Sequence, residues 1–521
     1  MAGVAGSGVD ERQFRQRFEQ RSADRTDRRG VWRAGECPVT IKGRAVAAVR
    51  WTSFATAGRV LLQTLQIFVL ARLLTQHDFG LMAMVLTVTA FVQLFADLGV
   101  SSVIIHSRTI SDDALTTLYW LNVAIGAVLA GIVAAASPAL ASFLGDSRAA
   151  LPLALSGLSF LFLALGQQIK VLAEKRLEFR TIAIVELCSA AISTLAAIIL
   201  AWNGAGVYAL VAAILLLSGC NSLFYWLFAR SNDWNLRAYF HFADARPYLG
   251  SGMYLLGASL ANTAAVQIDI LIVGRLLGST MLGIYSVPRE LCLKVMMATN
   301  PIITRVGTPL LAEVQHDKGR IRNVYLTTLA MTSAINFPIY GFIAAFRQDV
   351  ALIALGPRWG NAADLLGMFA LWGMFRSLGN PVGSLLYGTG KSKVALIQSL
   401  TVAVTLAITA AIAAHWGAMG VAVGITIFYA VFAIALWAGV IRPITGAGFV
   451  EYNLQWLRPL LATAAAAGVG LFVALPITDH FIRIVAGGIA GGLIYLGSSW
   501  FLNRRWVLSM MALVGRRKAE A

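Results

Sequence analysis

Runs of about 20 apolar residues recur from Trp51 to Leu502 with short polar breaks, the length a helix needs to cross a bilayer core roughly 30 Å thick. In lipid every backbone amide must find its partner within a helix or a closed barrel. These runs are continuous and lack the alternation of a barrel strand. Charged residues make up 13% of the chain and apolar ones 58%, against roughly a quarter charged in soluble domains. The fold class is therefore an all-α polytopic membrane protein. Its connections are short, which leaves no room for a soluble catalytic domain and argues against an enzyme.

Fourteen spans are expected, near 51–71, 80–103, 115–136, 151–171, 181–202, 206–228, 249–273, 283–304, 325–346, 362–387, 394–414, 418–440, 457–478 and 482–502. The net charge of +17 sits in an N-terminal tail, in loops on one side and at the C-terminus. Such a pattern sets membrane topology and excludes a nucleic-acid groove. With the N-terminus inside, the internal loops carry most of the Lys and Arg, among them Lys175, Arg176, Arg180, Lys318, Arg320, Arg322, Lys391 and Lys393. The external side then keeps only Arg72, Arg148, Arg275, Arg347, Arg358 and Arg483. The expected topology is N-in, C-in. Cys37, Cys188, Cys220 and Cys292 show no metal-ligand spacing, so neither metal nor cofactor is expected. The Arg-rich stretch 1–44 has too few apolar residues to fold alone, and VTIKGRAVAAVRW from Val39 reads as an ordinary start for such a protein.

An internal repeat organises these spans. Leu70–Gly80 reads LARLLTQHDFG and Val273–Gly283 reads VGRLLGSTMLG. Arg72 aligns with Arg275, Phe79 with Leu282 and Gly80 with Gly283, at one offset of 203 (275 − 72 and 283 − 80). A second echo pairs Trp202–Val207 with Trp416–Val421 at an offset of 214 (416 − 202). The second copy thus holds 11 more residues (214 − 203), most simply around Gln348–Asn361. An even number of spans separates the copies, so both halves enter the membrane the same way, as parallel repeats with a substrate site between them.

Ionisable groups within spans cost at least about 2.5 kcal/mol at the centre unless paired or wetted, and they mark the candidate site. Arg59 and Asp97 lie at similar depth in the first two spans, Asp269 and Arg289 in the seventh and eighth, and Glu290 and Lys294 one turn apart. Each pair reads either as an ion pair fastening helices or as part of a hydrated cavity. Arg376 has no evident partner. A cavity guanidinium suits phosphate or pyrophosphate through its planar fork, which favours Arg59 and Arg376. Gln63, Gln66, Gln93, Asn262 and Gln267 are suited to sugar hydroxyls, or to hydrogen bonds between helices.

The run WTSFATAGRVLLQTLQIFVLARLLTQHDFGLMAMVLTVTAFVQLFADLGVSSVIIH, with AEKRLEF at 173–179, VQIDILIVGRLLGSTMLGIYSVP at 266–288 and YGTGKSK at 387–393, resembles Wzx-type oligosaccharide flippases. These belong to the multidrug/oligosaccharidyl-lipid/polysaccharide exporter superfamily. The likeness covers about 40–445 and is nearest the branch serving exopolysaccharides such as colanic acid and xanthan; the tail departs from it. It implies two six-helix lobes plus two further helices. The expected domains are a cytoplasmic tail at 1–44, lobes at 45–230 and 249–441 joined by a linker at 231–248, two added helices at 442–503, and a basic tail at 504–521. It further implies an undecaprenyl-pyrophosphate-linked oligosaccharide as substrate, turned from the cytoplasmic to the periplasmic leaflet of the bacterial inner membrane. The partners expected are that lipid-linked substrate, membrane lipid, and a polysaccharide polymerase with its export machinery; the protein is expected to act as a monomer. Two other classes are weighed against this reading. A cation-coupled multidrug exporter of the same architecture favours acidic cavity residues over Arg. A membrane-embedded polymerase or acyltransferase needs a large external loop or clustered acid/base groups.

Overall fold

The computed structural model describes residues 41–97, 104, 111–231, 239–241, 253–315 and 317–502. Most of both tails and of the 231–248 linker lies outside them. The chain divides into two compact units, Met1–Ala47 and Ala48–Ala521. Among the described residues every regular element is helical. In order these are α1 (Ile41–Leu73), α2 (Gln76–Asp97), α3 (Asp112–Leu144), α4 (Ala150–Lys175), α5 (Phe179–Trp202) and α6 (Val207–Ser231). They continue with α7 (Met253–Glu313), α8 (Lys318–Ala345), α9 (Arg347–Leu355), α10 (Ala363–Ser377), α11 (Asn380–Gly388) and α12 (Ser392–Ala413). The last are α13 (Gly417–Leu436), α14 (Arg442–Thr445), α15 (Phe449–Ala474) and α16 (His480–Leu502).

Local chemistry sets several of these ends. The Ser111 hydroxyl accepts from the Ala114 amide at 3.2 Å to start α3, and Gly145, at φ 90°, ends it in the left-handed region. Asp317 starts α8 by accepting from the Gly319 and Arg320 amides. Eleven helical stretches among the described residues are long and apolar enough to cross a membrane. Two of them, Ser259–Asn300 with 42 residues and Lys393–Thr445 with 53, are double length. The first leaves helical geometry at Gly278 (φ 82°) and the second at Gly417 (φ 73°). α10 and α11, with 15 and 9 residues, are each too short to count and are separated by a turn at Leu378–Gly379. The expected fourteen treats the two long stretches as two spans each and α10–α11 as one. Among the described residues, eleven stretches meet the length and hydropathy of a span, two of them interrupted.

Within Ala48–Ala521, α2 packs most extensively on α7, bringing the two copies of the repeat together. A methyl group built on Gly80 falls 1.7 Å from the Ser279 carbonyl oxygen, and one built on Gly283 falls 1.8 Å from that of Gln76. Both contacts reproduce the sequence offset, since 279 − 76 and 283 − 80 are each 203. Equivalent residues therefore meet across a local two-fold, and only glycine permits so close a backbone approach.

The extra residues of the second copy build α9 and a 3₁₀ turn at Pro357–Ala362. This insertion lies over the first copy of the motif. The Arg72 guanidinium donates to the Ile353 carbonyl at 2.5 Å, and the Trp359 indole donates to the Ala71 carbonyl at 2.8 Å. Gln76 Nε2 donates to the Arg358 carbonyl at 2.9 Å and contacts Asn361 Oδ1 at 3.2 Å. Trp359 is buried and meets the Phe79 ring edge-on at 5.5 Å. Beside it, Asp146 accepts from the Ser279 hydroxyl at 2.7 Å and faces His77 Nε2 at 3.0 Å. Burial pushes the Asp146 carboxyl up, but the Ser279 hydroxyl, the Arg148 amide and His77 outweigh it and hold the group below the usual carboxylate value. These bonds tie this end of the bundle together. Lys175, Arg176, Lys318, Arg320, Lys391 and Arg442 lie at the opposite helix ends, where Arg322 forms a bidentate ion pair with Glu451.

Candidate substrate cavity

A cavity of about 450 Å³ opens between α1, α2, α5, α6 and both parts of α7. Val266, Gln267, Arg289, Glu290 and Lys294 come from α7, and Gln63, Gln66 and Gln93 from α1 and α2. The wall is otherwise mainly apolar, with Met82, Leu86, Leu210 and Leu217 among its members. A few polar groups in a mainly apolar wall is the usual build of a ligand pocket of this size.

Lys294 is the cation best placed to act there. Its Nζ sits 2.9 Å from Glu290 Oε1 and donates to Gln63 Oε1 at 3.1 Å, joining the first half of the chain to the second. Glu290 is the more exposed partner, with 43% of its side chain accessible against 13% for Lys294. Lys294 is mostly covered, so an anionic ligand reaches it by displacing the more exposed Glu290. Arg289 is committed elsewhere. Its Nε donates to Asp269 Oδ2 at 2.6 Å and its NH2 to Oδ1 at 3.0 Å, while the Tyr285 hydroxyl donates to Oδ2 at 2.9 Å. Both side chains are buried, so this pair fastens the two parts of α7 together.

The residues expected from sequence separate into groups. Gln63, Gln66, Arg289, Glu290 and Lys294 share the cavity, as do Gln93 and Gln267. Asp269 stands behind it, holding Arg289. Arg59 lies four residues from Gln63 along α1, about 6 Å at 1.5 Å per residue, and is not among the lining residues. Its acidic partner among the described residues is Glu186, at 3.6 Å, which also accepts from Lys170 at 2.7 Å. These contacts join α1, α4 and α5; the side chain of Asp97, the partner expected from sequence, lies outside the described residues. Asn262 and Arg376 line a second cavity, described below. Sequence reading missed Thr87 and Ser193 in the wall, as well as Trp372 and Tyr429, whose rings lie 5.2 and 5.4 Å from the Arg376 guanidinium. Uncharged residues within apolar helices give no signal that separates a cavity wall from a helix contact.

Comparison with known proteins agrees with this architecture. The chain is 26% identical over 462 residues to the teichuronic acid biosynthesis protein TuaB of Bacillus subtilis, covering 88% of this chain and 95% of that protein. It is 28% identical to the lipopolysaccharide biosynthesis protein WzxC of Escherichia coli, over 68% of this chain and 72% of that one. With the succinoglycan biosynthesis transport protein ExoT of Rhizobium meliloti it shares 24% identity over 92% and 98%. Among solved structures, the lipid II flippase MurJ in an inward closed conformation superposes with a TM-score of 0.69, at 13% identity, over 89% of this chain and all of MurJ. An inward-facing multidrug resistance MATE family transporter gives 0.60 at 17% identity, over 78% and 95%. The fold is that of these transporters. Residues 69–364, more than half of the chain, match the model of one family, and the chain belongs to that family, the polysaccharide biosynthesis proteins.

Proposed function

We propose that the protein flips an undecaprenyl-pyrophosphate-linked oligosaccharide from the cytoplasmic to the periplasmic leaflet, as the name of MurJ says of lipid II. The observation that carries this reading is the cavity between the two copies of the repeat, with Lys294 and four glutamines facing into it. Lys294 receives the pyrophosphate by exchange with Glu290, and the glutamines hold the sugars next to it. The tied end, with the α9 insertion, is the periplasmic side, and the basic end is cytoplasmic. The proposal includes fourteen crossings, two six-helix lobes acting by alternating access, two added helices α15 and α16, and N-in, C-in topology. The protein acts as a monomer in the inner membrane and passes its cargo to a polysaccharide polymerase and export machinery.

Two measurements test this. Reporter fusions after Asn361 or Thr478 should read outside, and fusions near Lys318 or after Lys393 inside; an outside signal at Lys318 overturns the span order. In liposomes loaded with the lipid-linked oligosaccharide, Lys294→Gln should lower flipping at least about tenfold, or about 1.4 kcal/mol, with protein abundance unchanged. Glu290→Gln removes the competitor and should retain flipping. Wild-type rates in Lys294→Gln would remove the pyrophosphate role.

A further inference from the structure

A second cavity, of about 160 Å³, lies between α7, α10, α11, α12 and α13. It meets the first at Val266, which lines both. Its polar groups are unusual for the interior of a membrane protein. Arg376 has no acidic partner among the described residues; its NH1 donates to the Tyr429 hydroxyl, and its Nε is buried without a hydrogen-bond partner. Asn380 Nδ2 and Gln398 Oε1, on the same wall, are also buried and unpaired. An unpaired buried polar atom is costly, and an intramembrane cation without a counter-charge is costly in addition. Three such atoms belong to residues that line one cavity, which makes it a polar site within an apolar bundle. Helix geometry points the same way, because the chain breaks at Leu378–Gly379 and restarts as α11 beside Arg376. Interrupted helices in transporters are placed where substrate binds.

Taken together, the groups define what fits. Arg376 Nε and Asn380 Nδ2 are donors suited to one carboxylate, and one uncompensated cation balances one negative charge. Gln398 Oε1 is an acceptor and needs a hydroxyl. Phe375, Tyr429 and Phe432 add aromatic faces for the C–H face of a pyranose. The Trp372 ring is within reach of both the Arg289 and the Arg376 guanidiniums, at 5.5 and 5.2 Å. A filled Arg376 site is thereby in contact with a neighbour of the central cavity.

We propose that this cavity binds a carboxylate-bearing sugar of the uronic acid type, so that the protein reads an acidic residue of the oligosaccharide separately from its pyrophosphate. The inference rests on the flippase reading for its biological meaning, but its test does not. The full-length protein in lipid nanodiscs is titrated by calorimetry with methyl β-D-glucuronide, with the neutral methyl β-D-glucoside, and with inorganic phosphate. The glucuronide should bind at least about tenfold more tightly than the glucoside, a gap of about 1.4 kcal/mol. Arg376→Gln should remove that preference, and Arg376→Lys should restore part of it by returning the charge without the fork. Gln398→Leu, which leaves the cation in place, should weaken the glucuronide while the protein stays folded. The proposal is overturned if folded wild-type protein prefers neither sugar, or if Arg376→Gln keeps the preference. It is overturned too if phosphate competes for the site as well as the glucuronide does, since Arg376 would then serve the pyrophosphate end. None of the probes carries a lipid or a pyrophosphate, so a failure of flipping and a failure of this site are read independently.

Discussion

Asp269→Ala should be among the most damaging single substitutions in the chain, costing about 3–5 kcal/mol of folded-state stability, the usual result of stranding one partner of a buried ion pair. Arg289 would lose both carboxylate bonds, and the Tyr285 hydroxyl its acceptor. The Arg289 side chain is only 5% exposed, so water replaces those bonds poorly. The converse change is milder. Replacing both partners, as in Asp269→Leu with Arg289→Met, removes the charge together with its counter-charge, and such swaps are often neutral or stabilising. Thermal unfolding in detergent of the wild type, the single variants and the pair decides the matter. If the double variant unfolds as early as Asp269→Ala, the pair contributes more than mutual neutralisation. Membrane abundance should follow the same order.

Gly80→Val should be nearly as severe, for a steric reason. Its Cβ already overlaps the Ser279 carbonyl, a backbone group that cannot rotate away. Overpacking of this kind costs about 1–3 kcal/mol, occasionally more, and here relief requires α2 and α7 to separate. Gly283→Ala should have a similar effect through Gln76. The two are coupled because both relieve themselves by opening one crossing, so the double variant should cost clearly less than the sum of the singles. Simple additivity would show that each glycine is accommodated by local bending. Either variant should also expose the tied end, raising the labelling rate of a cysteine placed at Gln76. Unchanged labelling would mean that the crossing can widen without opening that end.

Much of this was legible before any coordinates, for identifiable reasons. The polytopic helical fold follows from segment length, because the bilayer leaves the backbone few options. The repeat glycines were visible because a backbone crossing permits one residue type. Charged partners were partly legible. Glu290 and Lys294 are one helical turn apart, and Asp269 and Arg289 flank a single break, so chain proximity leads to each pair. The contact of Arg59 with Glu186, 127 positions away (186 − 59), is one that nothing in the order of spans reveals. The cavity walls were the least legible. Thr87, Ser193 and Tyr429 reside in helices whose composition is the same whether they face lipid, protein or an opening. The short α10 and α11 read as one span because hydropathy averages over the turn at Leu378–Gly379 that separates them.

The crossing of Gly80 and Gly283 also has a mechanical meaning. Two rods that touch at one end, with no side chains between them, form a pivot of almost no thickness. Across a hydrocarbon core of about 30 Å, a rotation of roughly 10° there displaces the far ends by about 5 Å, while the contact point barely moves. The leverage grows as the fulcrum narrows, and a glycine pair is the narrowest fulcrum a polypeptide can build.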